Sequence, residues 1–149
     1  MGKALKITLF NLILATFAFP LFAEEVATLT PEQIQRRLKI AQQKLGPWAD
    51  ACFKRDELLS QKKYAEAADA GKEALKVAEQ AFGSSSQNVA SSLFFLGRIN
   101  KEWGKYDDAE NYLKRSIEMY RQIFGHNNPA VSLPLNELQE VYRLEGKAL

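Results

Sequence analysis

Apolar side chains recur along this chain at three- and four-residue steps, and glycines interrupt them at intervals. Between residues 88 and 103, Leu93, Leu96, Asn100 and Trp103 fall on one face of a helix. Gly104 follows, where a helix stop favours glycine. Residues 107–124 place Ala109, Leu113, Ile117, Tyr120 and Phe124 on one stripe before Gly125. Joined by Gly104-Lys105-Tyr106, the two segments predict an αα-hairpin. Residues 48–60 and 64–82 predict the hairpin before it, closed by Gly83, and residues 130–145 begin another before Gly146.

The pattern also repeats on a longer scale. A shift of 42 residues lays Lys63-Tyr64 on Lys105-Tyr106, Ala67 on Ala109, Leu75 on Ile117 and Phe82-Gly83 on Phe124-Gly125. The same shift lays Val89 on Val131, Leu93 on Leu135, Leu96 on Leu138 and Gly104 on Gly146. Identity at the turns with apolar replacement on the faces is how a tandem repeat diverges. Residues 31–45 fit the second helix of an earlier hairpin. Ile34, Leu38, Ile40 and Leu45-Gly46 align on Leu113, Ile117, Met119 and Phe124-Gly125. Thr30-Pro31-Glu32-Gln33 reads as a capping box with proline at the first helical position, and Leu29 can staple to Ile34.

The expected domain is therefore all-α and spans residues 31–149. It has six helices, with full hairpins near 48–82 and 88–124 and half-repeats at 31–45 and 130–146. One hairpin cannot bury both its faces, so neighbours stack into an α–α superhelix. Ala67 and Ala109 are small where helix backbones approach, and Gly97 fills the slot opposite. In the first hairpin Arg55 stands in that slot. Pro134 places a demand of its own: the last helix should start near Ser132, leaving Pro134 in its first turn.

The chain opens differently. Lys3 and Lys6 precede an uncharged run over residues 7–22, and Ala23 precedes Glu24-Glu25. This is the order of a secretory signal peptide. The run is short of the ~20 residues a membrane-spanning helix needs. The expectation is a signal peptide over 1–23 cleaved near Ala23, a linker over 24–30, and an exported protein, periplasmic or secreted. The rival is an uncleaved anchor, which alone would bring a membrane into play. Cys52 is the only cysteine, so no intrachain disulfide can form. It reads either as a small buried residue or as a free thiol.

Charge and chemistry narrow the function. There are 20 Lys plus Arg against 18 Asp plus Glu, and two of the lysines lie in the leader. The remainder is balanced, without the cationic excess that phosphate binding requires, so nucleic acid is not expected as a partner. His126, the one histidine, lies in a Gly- and Asn-rich linker. Zinc needs several Cys or His ligands at close spacing. Asp107 and Asp108 open a helix, where acids favour the dipole. No catalytic residue, metal or cofactor is expected.

These features resemble tetratricopeptide repeats, in the 42-residue form of kinesin light chains. Leu93, Leu96, Gly97, Tyr106, Ala109 and Leu113 carry the resemblance, as does the linker GHNNPAV from Gly125 to Val131. The resemblance implies a protein-binding adaptor or scaffold whose partner is a protein or peptide. It also implies that the first helix of each hairpin lines a concave groove. The groove positions are then Phe94, Arg98, Lys101 and Glu102 in the central hairpin, and Asn136, Glu140 and Arg143 in the last helix. Cys52, Asp56 and Leu59 are their equivalents in the first hairpin. Of the adjacent Phe94 and Phe95, both can be half-buried or one can anchor a partner. Two other roles are a membrane-tethered envelope assembly factor and an accessory subunit of an envelope enzyme. The last helix carries Leu133, Leu138, Val141 and Leu144 around much of its surface, so a homodimer through that end is a further expectation.

Overall fold

The computed structural model describes residues 30–147. The leader over 1–23 and most of the linker over 24–30 lie outside the described residues. Among the described residues, five helices follow one another: α1 (Pro31–Ser60), α2 (Tyr64–Phe82), α3 (Gln87–Glu102), α4 (Tyr106–Phe124) and α5 (Pro129–Glu145). No strand occurs among the described residues. The chain divides into two compact units between Gln42 and Gln43.

In the first unit, the described residues are Thr30 and the opening turns of α1. The capping box forms as expected. Gln33 N–H donates to Thr30 Oγ1 at 3.3 Å, and Thr30 N–H donates to Gln33 Oε1 at 2.8 Å. Ile40 is exposed on this stretch.

The second unit is built on the 42-residue period. α2 and α4 begin 42 residues apart and end 42 residues apart, and α3 and α5 begin 42 apart. Gly83 and Gly125, which follow α2 and α4, share a φ of 84°. α3 packs against both α2 and α4, and α4 packs against α5. Leu93, Leu96, Ile99, Ala109, Leu113 and Val141 are fully buried along these seams. α3 and α4 approach closely at Gly97: a Cβ there would lie 2.5 Å from Leu113 Cγ and 3.4 Å from the Ala109 carbonyl oxygen. The expected Gly97–Ala109 close approach is thus present. Two buried polar side chains of this core, Ser116 and Asn100, are matched. Ser116 Oγ donates to the Ala90 carbonyl at 2.8 Å, and Asn100 Nδ2 donates to the Leu96 carbonyl at 2.8 Å.

Two expectations about helix bounds are corrected. Residues 31–45 and 48–60 are not separate helices but parts of α1, with Pro47 inside it. Proline removes one i to i−4 hydrogen bond, and here the helix continues past that loss. Likewise α5 begins at Pro129, not near Ser132, so Pro134 sits in the helix interior. Asn128 explains the earlier start: its Oδ1 accepts the Ala130 N–H at 2.9 Å, with Pro129 at the first helical position. Pro134 is fully buried, and its packing accompanies the missing bond.

Candidate functional site

α3 and α5 are the first helices of successive hairpins, and their facing sides meet through charge. Glu137 of α5 is the centre. Its Oε2 accepts Lys101 Nζ at 2.5 Å, and its Oε1 lies 3.4 Å from Arg98 Nε. The first contact is a hydrogen-bonded ion pair. The second is an ion pair without hydrogen-bond alignment, since Arg98 Nε has no hydrogen-bond partner. One turn further along α5, Arg143 holds Glu140 through two bonds, Nε to Oε2 at 2.7 Å and Nη2 to Oε1 at 2.5 Å. That fork holds the Glu140 carboxyl below its ordinary pKa, and the Lys101 charge adds to the effect. Arg98, Lys101, Glu137, Glu140 and Arg143 therefore form one charged strip across two helices.

Aromatic rings adjoin the strip. Phe94 and Phe95 are both half-buried and meet edge to face, with centroids 5.2 Å apart. Phe94 packs on the core cluster of Ala90, Leu113 and Val141. Arg98 lies near both rings, 5.9 Å from the Phe94 centroid and 5.7 Å from that of Phe95. Phe95 carries a second guanidinium, Arg55 of α1, at 3.9 Å from its centroid. Such stacking favours a cation over the ring face. Arg55 is buried, donates to Asp56 Oδ1 at 2.8 Å and reaches Cys52 Sγ at 3.6 Å. Burial pushes the Cys52 thiol up, against the lowering charge of Arg55.

The seven groove positions expected from sequence thus divide. Arg98, Lys101, Glu140 and Arg143 come together, with Phe94 beside them. Asn136 and Glu102 are exposed on the same two helices and enter none of these pairs. In the first hairpin, Asp56 is exposed against Arg55, Cys52 is half-buried, and Leu59 packs on the Ala67–Ala68–Ile99 cluster. Leu59 is therefore an inner position rather than a groove position. Sequence reasoning did not identify Glu137 as the hub or Arg55 as a ring partner. A signal existed for Glu137: it lies 36 residues after Lys101, on the equivalent helix one repeat on.

Among the described residues, no group of three or more His, Cys, Asp or Glu side chains is placed to hold a metal ion. No helix among them is long and apolar enough to cross a membrane. In comparison with known proteins, residues 58–122 match the model of the tetratricopeptide repeat family. That span runs from the last turn of α1 through most of α4. No curated protein matches the chain.

Proposed function

Starting from a chain that carries tetratricopeptide repeats over residues 58–122, we infer that this protein works by binding another protein, as an adaptor or scaffold without catalysis of its own. The binding face is the side of α3 and α5 that presents Phe94, Arg98, Lys101, Glu102, Asn136, Glu140 and Arg143. One observation supports this face above all: Glu137 ties α3 to α5 through Lys101 and Arg98, so side chains from two repeats share a preorganised surface. Ion pairs at its rim tune encounter and partner choice, while half-buried rings supply contact area.

The protein acts outside the cytoplasm in this reading. The support is the order of the leader: two lysines, an uncharged run over 7–22, and Ala23 before Glu24. Mass spectrometry of the protein recovered from its compartment should find Glu24 at the N-terminus. A full-length membrane-bound form would replace export by tethering.

Affinity capture tests the face. Wild-type protein and the variant Glu102→Arg/Asn136→Arg/Arg143→Glu are used as baits in extract of the same compartment. The captured protein should be lost with the variant while helix content stays the same. Equal capture by both baits would move the binding face elsewhere.

A further inference from the structure

The part of α1 from Gln43 onward belongs to the second unit, yet it is held there differently from its neighbours. α2, α3, α4 and α5 pack in order by close backbone approach, whereas α1 comes equally close to none of them. α2 and α3 bury six and eight residues, but the one buried residue of α1 is Arg55, a cation. Leu58 and Leu59 pack on Ala67, Ala68 and Ile99 at the end of the helix. Before that end, α1 stands off α2 across a cleft of about 510 Å³, whose lining includes Ala51, Lys54, Asp69 and Ala70.

Two further contacts dock this segment. Trp48 Nε1 donates to Ser92 Oγ of α3 at 3.1 Å, and its ring meets Phe82 edge to face. Arg55 lies over the Phe95 ring at 3.9 Å. The second contact is a poor anchor. A buried guanidinium loses its hydration, and Arg55 offsets that loss with Asp56, a side chain 56% exposed, and with a thiol sulfur at 3.6 Å. Both ends of the segment are weak as well. Gly46 and Pro47 are the residue types that a helix interior tolerates least. Lys62, in the turn to α2, holds a left-handed φ of 57°.

We propose that residues 43–60 form a detachable arm, which undocks from α2 and α3 while α2 to α5 stay folded, and which when docked keeps the Phe95 ring from the partner. The first clause rests on packing alone. A segment with few buried apolar contacts opens at lower free energy than the core it covers. The second clause rests on the reading of α3 and α5 as the binding face. Phe95 meets Phe94 and lies 5.7 Å from Arg98, both on that face, so its ring extends the face once Arg55 leaves it. The Arg55 guanidinium is then an autoinhibitory contact. A partner that needs the open arm binds with an apparent affinity reduced by the open fraction.

Two buried serines read the two seams. Ser92, 1% exposed, is bonded to Trp48 of the arm, and Ser116, 0% exposed, is bonded to the Ala90 carbonyl of α3. In a Cys52→Ser background, Ser92→Cys and Ser116→Cys are labelled with a thiol reagent under native conditions. Opening of the arm alone should label position 92 more than about tenfold faster than position 116. Hydrogen exchange of the unaltered chain reads the same event: amides over 48–60 should exchange faster than those of α3 and α4. Equal labelling at 92 and 116, or arm amides that exchange only together with α3 and α4, overturns the arm. In the capture assay, Trp48→Ala, which loosens the arm, should raise the amount of partner captured at low bait concentration several-fold. Unchanged or weaker capture, with position 92 still labelled fast, overturns the control of the face by the arm. Equal capture by wild type and Glu102→Arg/Asn136→Arg/Arg143→Glu removes the face itself, while the labelling alone still judges the arm.

Discussion

The hairpin of α3 and α4 and the pairing of α1 with α2 share a register but differ in how they close. In the former, Gly97 admits Leu113 to within contact of the α3 backbone, and Leu93 and Leu96 of α3 are fully buried. In the latter, Arg55 stands where Gly97 stands, Ala51 and Lys54 where the leucines stand, and Gly71 where Leu113 stands. Gly71 is not wasted. A Cβ there would lie 2.8 Å from Leu96 Cδ2, so it serves the contact of α2 with α3 instead of α1. Turn and cap positions can be kept while the side chains that decide closeness drift. The period therefore reports the chain path, and the small and large residues at the seam report the packing.

The largest effect should come from removing a seam leucine. Leu96→Ala, fully buried, should cost ~2–5 kcal/mol of stability. Its counterpart Lys54→Ala, exposed at the cleft, should stay within about 0.5 kcal/mol. Urea midpoints for the two variants measure this, and similar losses would erase the contrast between the hairpins.

A smaller effect should come from making the first pairing resemble the second. Ala51→Leu with Lys54→Leu supplies the missing apolar groups and should raise stability by about 2 kcal/mol if the cleft fills. Thermal denaturation reads this. No gain, or a loss, would mean that Arg55 and not the missing leucines holds α1 away.

The turns sharpen the comparison further. Lys62 has a φ of 57°, and its counterpart Gly104 has a φ of 80°. A left-handed conformation costs a side-chain-bearing residue ~1–2 kcal/mol, part of which glycine returns as backbone entropy in the unfolded chain. Lys62→Gly should therefore stabilise by about 0.5–1 kcal/mol. A destabilised variant would show that the lysine side chain contributes more at this turn than its backbone costs.

The smallest effect concerns Cys52, half-buried beside Arg55. Burial raises its thiol pKa, so the protonated form persists to higher pH than in a free cysteine. Alkylation by iodoacetamide near pH 8 should run slower than for an unstructured cysteine peptide and should accelerate in urea. Equal rates in folded and unfolded protein would place the thiol in open solvent.

Much of the fold was legible because it is written in local chemistry. Gly83, Gly104, Gly125 and Gly146 all take positive φ, which only glycine adopts without cost, so each marks a turn wherever the helices lie. Thr30 and Gln33 cap a helix start by a contact three residues long. Gly97 and Ala109 announced a close approach because a missing side chain at helical spacing leaves room for a backbone. The groove strip was legible only in part. Arg98, Lys101, Glu140 and Arg143 are groove positions that the resemblance to tetratricopeptide repeats implies, but the role of Glu137 depends on how far α5 is offset along α3.

What the sequence by itself determined is therefore the all-helical repeat, its 42-residue period and the places where helices stop, since these rest on backbone preferences and on contacts a few residues apart. What only the tertiary structure decided is where such preferences are overruled or left unmet. The sequence pattern separates helices at 31–45 and 48–60 and places Pro134 in a first turn, yet Pro47 and Pro134 both lie inside helices, because one lost hydrogen bond is small against the many that propagate a helix. The Lys101–Glu137–Arg98 bridge and the open α1–α2 cleft belong to the same class. Each depends on the spacing and offset of two helices, which the summed packing of many side chains sets and no single position encodes.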